Sequence, residues 1–268
     1  MQLYSTSYHR ASSIEDAGKL LSGAEDGKFI AGGQTLIAAL KQRLAQPSDL
    51  VDLRHIASMK GITVNGRQVT IGAAVTHAEV ASSSAIRAVC PAICHLASLI
   101  GDPHVRHMGT IGGSVANDDP AADYPSAVLG LGATVVTNSR EIAADDFFVG
   151  LFETALAEDE IITAIRFDAP EKAGYAKFAN PASRYAMTGV FVAKSAGGDV
   201  RVAVTGAGSN GVFRHSGMEA ALRANWSPDA VASQSVDASQ MMSDIHGSSE
   251  YRANLVKVMA KRAVAAAG

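Results

Sequence analysis

The sequence predicts a fold of mixed helices and strands in two parts: an α/β-type first half, residues 1–171, and a smaller α+β C-terminal domain, residues 172–268. Three observations lead there. Short apolar runs alternate with helix-period patterns through the first half. Glycine is abundant at 25 residues while Pro (8) and aromatics (6%) are sparse, which suits a compact chain rich in tight turns. The chain changes character at Phe167-Asp168-Ala169-Pro170-Glu171, where proline and charge mark a boundary.

In chain order, Ile14 to Leu21 reads as a short helix started by Ser12 or Ser13. Lys28-Phe29-Ile30-Ala31 reads as a brief buried strand stopped by Gly32-Gly33. Leu36, Ile37, Leu40 and Leu44 share a helical face, and Pro47 is expected to end that helix. Asn65-Gly66 before the apolar run Val69–Val75 predicts a β-hairpin. Pro91 to Ile100 is an apolar helix. In the second half, Val190–Ala193 and Val200–Thr205 flank Ala196-Gly197-Gly198-Asp199 as a second hairpin. Tyr251 to Ala267 closes the chain as a helix, with Leu255, Val256, Met259 and Ala263 at helical spacing.

Composition excludes several classes of function. With 47% hydrophobic residues the chain can offset the entropy of ordering, so it is not disordered. The 23 basic against 26 acidic residues leave a net charge of −3, which offers nucleic acid no electrostatic footprint. No run approaches the ~18 apolar residues of a membrane span. Cys90 and Cys94 are too few for a disulfide framework, a Cys-ligated iron–sulfur cluster or a four-Cys zinc site. The opening MQLYSTSYHRASS lacks the apolar core of a signal peptide, so a cytoplasmic protein is expected.

Two glycine turns carry the chemistry. Ala31-Gly32-Gly33-Gln34-Thr35 joins a strand to a helix, where backbone N–H groups and the helix dipole favour a phosphate or pyrophosphate. A plain tight turn with Thr35 as N-cap is the competing reading. Gly109-Thr110-Ile111-Gly112-Gly113-Ser114 repeats the pattern, and the pair could clamp a pyrophosphate from two sides. Neither turn has the Lys of a P-loop, which disfavours magnesium–triphosphate. In Asn117-Asp118-Asp119-Pro120-Ala121-Ala122-Asp123 the interrupting Pro and Ala disfavour a metal. A helix starting at Asp119 or Pro120 is the expected role, with Asp123 free to turn inward toward a cofactor. Gly206-Ala207-Gly208-Ser209-Asn210-Gly211 matches GxGxxG after the strand Val200–Thr205. A dinucleotide unit then needs a helix and a second strand ending in an acidic residue about 20 positions on. Trp226 to Gln240 has no strand pattern and Asp229 follows Pro228 as in a helix cap, so the motif is a decoy. A zinc site from Cys90, Cys94, His104 and His107 has no usual spacing, and no nucleophile triad or G-x-S-x-G elbow is present.

Taken together, five segments resemble the FAD-binding medium subunit of the molybdenum hydroxylases. That family includes carbon monoxide dehydrogenase, xanthine dehydrogenase and bacterial enzymes for aldehydes and N-heterocycles. The segments are Ala31–Leu36, Val105–Gly113, Asp119–Asp123, Ser183-Arg184-Tyr185-Ala186 and Asp244-Ile245-His246-Gly247-Ser248-Ser249-Glu250-Tyr251-Arg252. The resemblance implies an α+β fold: a p-cresol methylhydroxylase-type FAD domain of two subdomains, then a small α+β C-terminal domain. By the resemblance, Ala31, Gly32, Gly33, Gln34 and Thr35, with Thr110, Ile111, Gly112, Gly113 and Ser114, hold the FAD pyrophosphate, and Ile30, Leu36 and Gly109 beside them also bind the cofactor. It also implies cofactor contacts for Asp123, for the backbone near Ile162, for Lys177 or a neighbour in Tyr175–Asn180, and for Tyr185 beside the isoalloxazine ring. Three positions depart from the family's usual pattern: His104-Val105-Arg106-His107 for Gln-Ile-Arg-Asn, Gln34 for His, and Asn117-Asp118 for Asn-Ala or His-Ala.

The implied partners are a large molybdopterin subunit and a small subunit with two 2Fe–2S clusters, in a heterotrimer doubled to a hexamer. FAD on this chain then takes electrons from the clusters and passes them to an acceptor such as a quinone, NAD or oxygen. No side chain here is expected to be catalytic and no metal is expected on this chain. A stand-alone FAD oxidoreductase and a non-catalytic assembly subunit are the alternatives, and the two glycine turns speak against the second.

Overall fold

The computed structural model describes residues 4–267. Its first layer is a small parallel sheet of β1 (Ser7–Arg10), β2 (Gly27–Ile30) and β3 (Asp49–Asp52), ordered β1-β3-β2. Helix α1 (Ile14–Ser22) connects β1 to β2, and Ser13 caps it by accepting the Asp16 N–H. Strand β2 fully buries only Ile30, for it is an edge strand of this three-stranded sheet. Helix α2 (Leu36–Lys41) ends well before Pro47: Arg43 adopts φ +60° and leaves Leu44 76% exposed, outside the helical face predicted for it. Thr35 makes no side-chain capping bond.

A second, antiparallel sheet follows: β4 (Ile62–Asn65), β5 (Gln68–Gly72), β6 (Thr134–Thr137), β7 (Glu141–Ala143) and β10 (Ile162–Asp168), ordered β4-β5-β10-β6-β7. Strand β10 lies between β5 and β6, so Ile165 pairs with both Ile71 and Val135, all three buried. Between β5 and β6 the chain runs through α3 (His77–Ser82), α4 (Ser84–Val89), α5 (Pro91–Ser98), α6 (Pro103–Met108), α7 (Ile111–Asn117) and α8 (Tyr124–Gly130). The α8 start corrects the expected one: Asp119 and Pro120 lie in a turn that Asp119 closes by accepting the Ala121 N–H. Cys90 and Cys94 sit in the main core, where burial pushes the Cys90 thiol up to about 12. After β7 come α9 (Ala144–Phe147) and a short hairpin of β8 (Phe148–Gly150) and β9 (Glu153–Thr154).

The remaining sheet is antiparallel: β11 (Lys172–Ala179), β12 (Ala186–Lys194), β13 (Val200–Thr205) and β14 (Phe213–Arg214). Strand β12 is buried along nearly its whole length because it is covered on both faces. Phe191 and Ala193 join the core shared with α5 and α8. Val190 and Val192 join a second core under α10 (Ser216–Ala224), α11 (Pro228–Ala232) and α12 (Ser249–Ala266). Leu255, Val256, Met259 and Ala263 of α12 are buried as their spacing predicts. The Gly206–Gly211 loop leads into β14, antiparallel to β13, rather than into a helix. Among the described residues no helix is long and apolar enough to cross a membrane.

Candidate functional site

A cleft of about 680 Å³ opens between the parallel sheet, the antiparallel sheet and the start of β12. That volume is within the range of small-molecule and cofactor sites. Both glycine turns reach it, as do Asp123, Ile162 and Tyr185. Of the residues the resemblance points to, all line the cleft except two. Ile111 is fully buried in the core. Lys177 stands behind the cleft wall, 4% exposed.

The two turns differ in what they offer a ligand. Gly33 adopts φ +70°, and a side chain at Gly32 would meet the Met108 carbonyl at 2.3 Å, so the first turn is pressed against the entry to the second. Among the described residues no oxygen accepts from the N–H groups of Gly32, Gly33, Gln34 or Thr35. Four unclaimed donors in succession at a cleft wall suit an anion with several oxygens. The second turn has spent its donors. Ile111 N–H goes to the Val75 carbonyl (3.0 Å), Gly112 to Ala73 (2.9 Å), Gly113 to the Thr110 hydroxyl (3.1 Å) and Ser114 to the Thr110 carbonyl (3.0 Å). What it presents to the cleft is the face of two glycines and the side chains of Thr110 and Ser114.

Asp123 is buried and held from behind. Tyr175 Oη donates to one carboxylate oxygen at 2.5 Å, and Lys177 Nζ lies 2.9 and 3.1 Å from the two oxygens while donating to the Leu99 carbonyl at 2.8 Å. Burial pushes this carboxyl up, and the ammonium and hydroxyl pull it back. Lys177 therefore fixes Asp123 rather than facing the cleft itself. The loop around Asp123 is tied to the second sheet: Thr205 Oγ1 donates to the Ala122 carbonyl at 2.7 Å, and Ala186 N–H to Ala121 at 3.3 Å. Tyr185, next to that anchor, lines the mouth half-exposed.

Other lining residues carry no periodic or motif signal of their own. Asp102 caps α6 by accepting from His104 and Val105 N–H, and the Asp102-Pro103 pair was the one readable sign of that turn. His77 lies inside the Thr76–Glu79 capping box, and burial with the nearby Arg106 charge lowers it to about 4, so it is neutral at pH 7. Glu160 is paired with Arg140 and falls to about 2. Phe152 and Arg184 line the mouth at positive φ (+55° and +63°).

Residues 4–170 match the family described as FAD binding domain in molybdopterin dehydrogenase. The chain is 38% identical to the nicotine 6-hydroxylase medium subunit of Paenarthrobacter nicotinovorans, over 100% of this chain and 99% of that one. Its fold superimposes on a reconstituted CO dehydrogenase from Oligotropha carboxidovorans with a TM-score of 0.90 at 34% identity, covering 100% and 99% of the two chains. The corresponding values for quinoline 2-oxidoreductase of Pseudomonas putida 86 are 0.88 and 26%, covering 100% and 98%.

Proposed function

The chain belongs to the FAD-binding medium subunits of the molybdenum hydroxylases, and from that membership we propose how its cleft serves the electron-transfer role. The protein is an oxidoreductase subunit that binds FAD, takes electrons from the 2Fe–2S clusters of its complex and passes them to a terminal acceptor. Substrate oxidation occurs at molybdopterin on the large subunit. The observation that carries the site assignment is the run of unclaimed N–H donors at Gly32–Thr35, which suits the FAD pyrophosphate.

In this reading Thr110 and Ser114 add hydroxyls on the other side of the pyrophosphate, and the bare Gly113 face lets it approach. Asp123, held by Lys177 and Tyr175, presents its remaining acceptor capacity to a cofactor hydroxyl or ring N–H. Ile162 packs near the adenine side and Tyr185 against the ring system. Bound FAD supplies two-electron storage, and the chain supplies position, shielding and local charge. No side chain acts as a general acid or base. The chain divides into an FAD domain over residues 1–171 and a C-terminal domain over 172–268. It works in the cytoplasm within a dimer of heterotrimers.

The test is the visible spectrum of the protein purified with its co-purifying chains, with the released flavin identified. The expected outcome is oxidised-flavin bands with one FAD per chain, and broad iron–sulfur absorption accompanied by two further chains. A colourless preparation that also refuses added FAD overturns the reading.

A further inference from the structure

We propose that Arg252 is a positioning residue for the cleft: its guanidinium clamps the neighbouring ends of β12 and β13, and thereby sets where Tyr185 and the Asp119–Asp123 loop stand. The inference rests on the reading that the cleft holds FAD.

Arg252 lies in the first turns of α12, on the far side of the sheet from the cleft, and is 3% exposed. Its Nη1 donates to the Met187 carbonyl at 2.6 Å and to the Gly206 carbonyl at 2.8 Å. The β12–β13 ladder runs from Lys194–Val200 to Gly189–Thr205 and stops there, so these two carbonyls lie beyond the last paired residues. One cation replaces the missing strand-to-strand bonds. The Asp244 carboxylate holds the guanidinium in place at 2.6 Å, and Asp244 also accepts from His246 and Gly247 N–H, folding the segment before α12 into a tight turn.

The clamped residues stand directly behind residues that line the cleft. Met187 is two residues from Tyr185, and the intervening Ala186 donates to Ala121. Gly206 N–H donates to the Pro120 carbonyl at 2.8 Å, and Thr205 bonds the carbonyls of Pro120 and Ala122. Without the clamp, the buried Gly206 carbonyl loses its donor, the Met187 carbonyl keeps only the Thr188 hydroxyl (2.8 Å), and the strand ends carrying Tyr185 and the Asp123 loop are free to separate.

The experiment measures FAD affinity and the visible circular dichroism of bound FAD in the full chain, together with the melting temperature. Arg252→Met is expected to weaken FAD at least tenfold and change the dichroism. Arg252→Lys, still able to bridge both carbonyls, should stay within about threefold of the wild type. Met259→Ala, which empties the core beneath the same helix, serves as the control: it should lower the melting temperature as much while leaving FAD affinity and dichroism unchanged. If Arg252→Met does not fold, Asp244→Asn decides, with about threefold weaker binding expected. Wild-type affinity in Arg252→Met, or in Asp244→Asn where it stands in, overturns the proposal, as does equal FAD weakening in Met259→Ala. A wild-type chain that takes up no FAD overturns the functional reading instead.

Discussion

The two glycine turns look alike in the sequence and divide the work in the structure. Gly32-Gly33 leaves its donors open at the cleft, while Gly112-Gly113 lies at the start of α7 with every N–H from Ile111 to Ser114 taken by the chain itself. A side chain at Gly112 would come within 2.5 Å of the Ala73 side chain and 2.8 Å of its carbonyl, so that glycine is a packing requirement. The lesson is that a Gly-Gly pair marks either a place where a ligand meets backbone or a place where backbone meets backbone. Hydrogen-bond accounting separates the two.

Gly33→Asp puts a carboxylate among the open donors and a side chain at φ +70°. FAD occupancy should fall from one per chain to nearly none, measured by flavin release from folded protein; a folded variant with full FAD content would contradict the assignment. Gly112→Ala should instead cost about 3 kcal/mol of stability through overpacking, read from denaturant unfolding. FAD should still saturate the fraction that folds.

The helix that the second turn starts ends on Asp118, whose buried carboxylate oxygens have no partner among the described residues and which adopts φ +40°. Burial and the neighbouring Asp119 raise it to about 7. A raised acid binds its proton more tightly when folded, so stability falls as pH rises from about 4 to about 7 and the penalty then levels off. Asp118→Asn should therefore stabilise the chain by roughly 2 kcal/mol at pH 8 and by little at pH 4. Equal gains at both pH values in thermal melts would contradict the buried-acid account. The smallest effect is Thr110→Ala, which removes the N-cap of α7 and should lower stability by about 1 kcal/mol. If it also weakens FAD severalfold, the Thr110 hydroxyl serves the ligand as well as the helix.

Local chemistry was legible where neighbours in sequence decide it. Asn65-Gly66 and Gly197-Gly198 each close an antiparallel hairpin, Ser13 caps α1, and α12 buries the face its spacing marks. Helix α2 stops short of the length its apolar spacing through Leu44 predicts, because the left-handed turn at Arg43 ends it. Helix α8 starts later than Asp119 or Pro120, because the Asp119 side chain closes a turn and not a helix.

What the sequence alone determined was several of the local elements, the two turns and the family that the motifs signal, since these depend on short-range geometry and on residue types in order. Which turn keeps its donors was decided in tertiary structure. Thr110 takes two of the second set locally, but the acceptors for the other two, the carbonyls of Ala73 and Val75, lie on a segment more than thirty residues earlier that only the packed fold brings alongside. The same holds for Lys177 behind Asp123 and for Arg252 beneath β12 and β13. A long charged side chain has many partners within reach, and packing chooses among them.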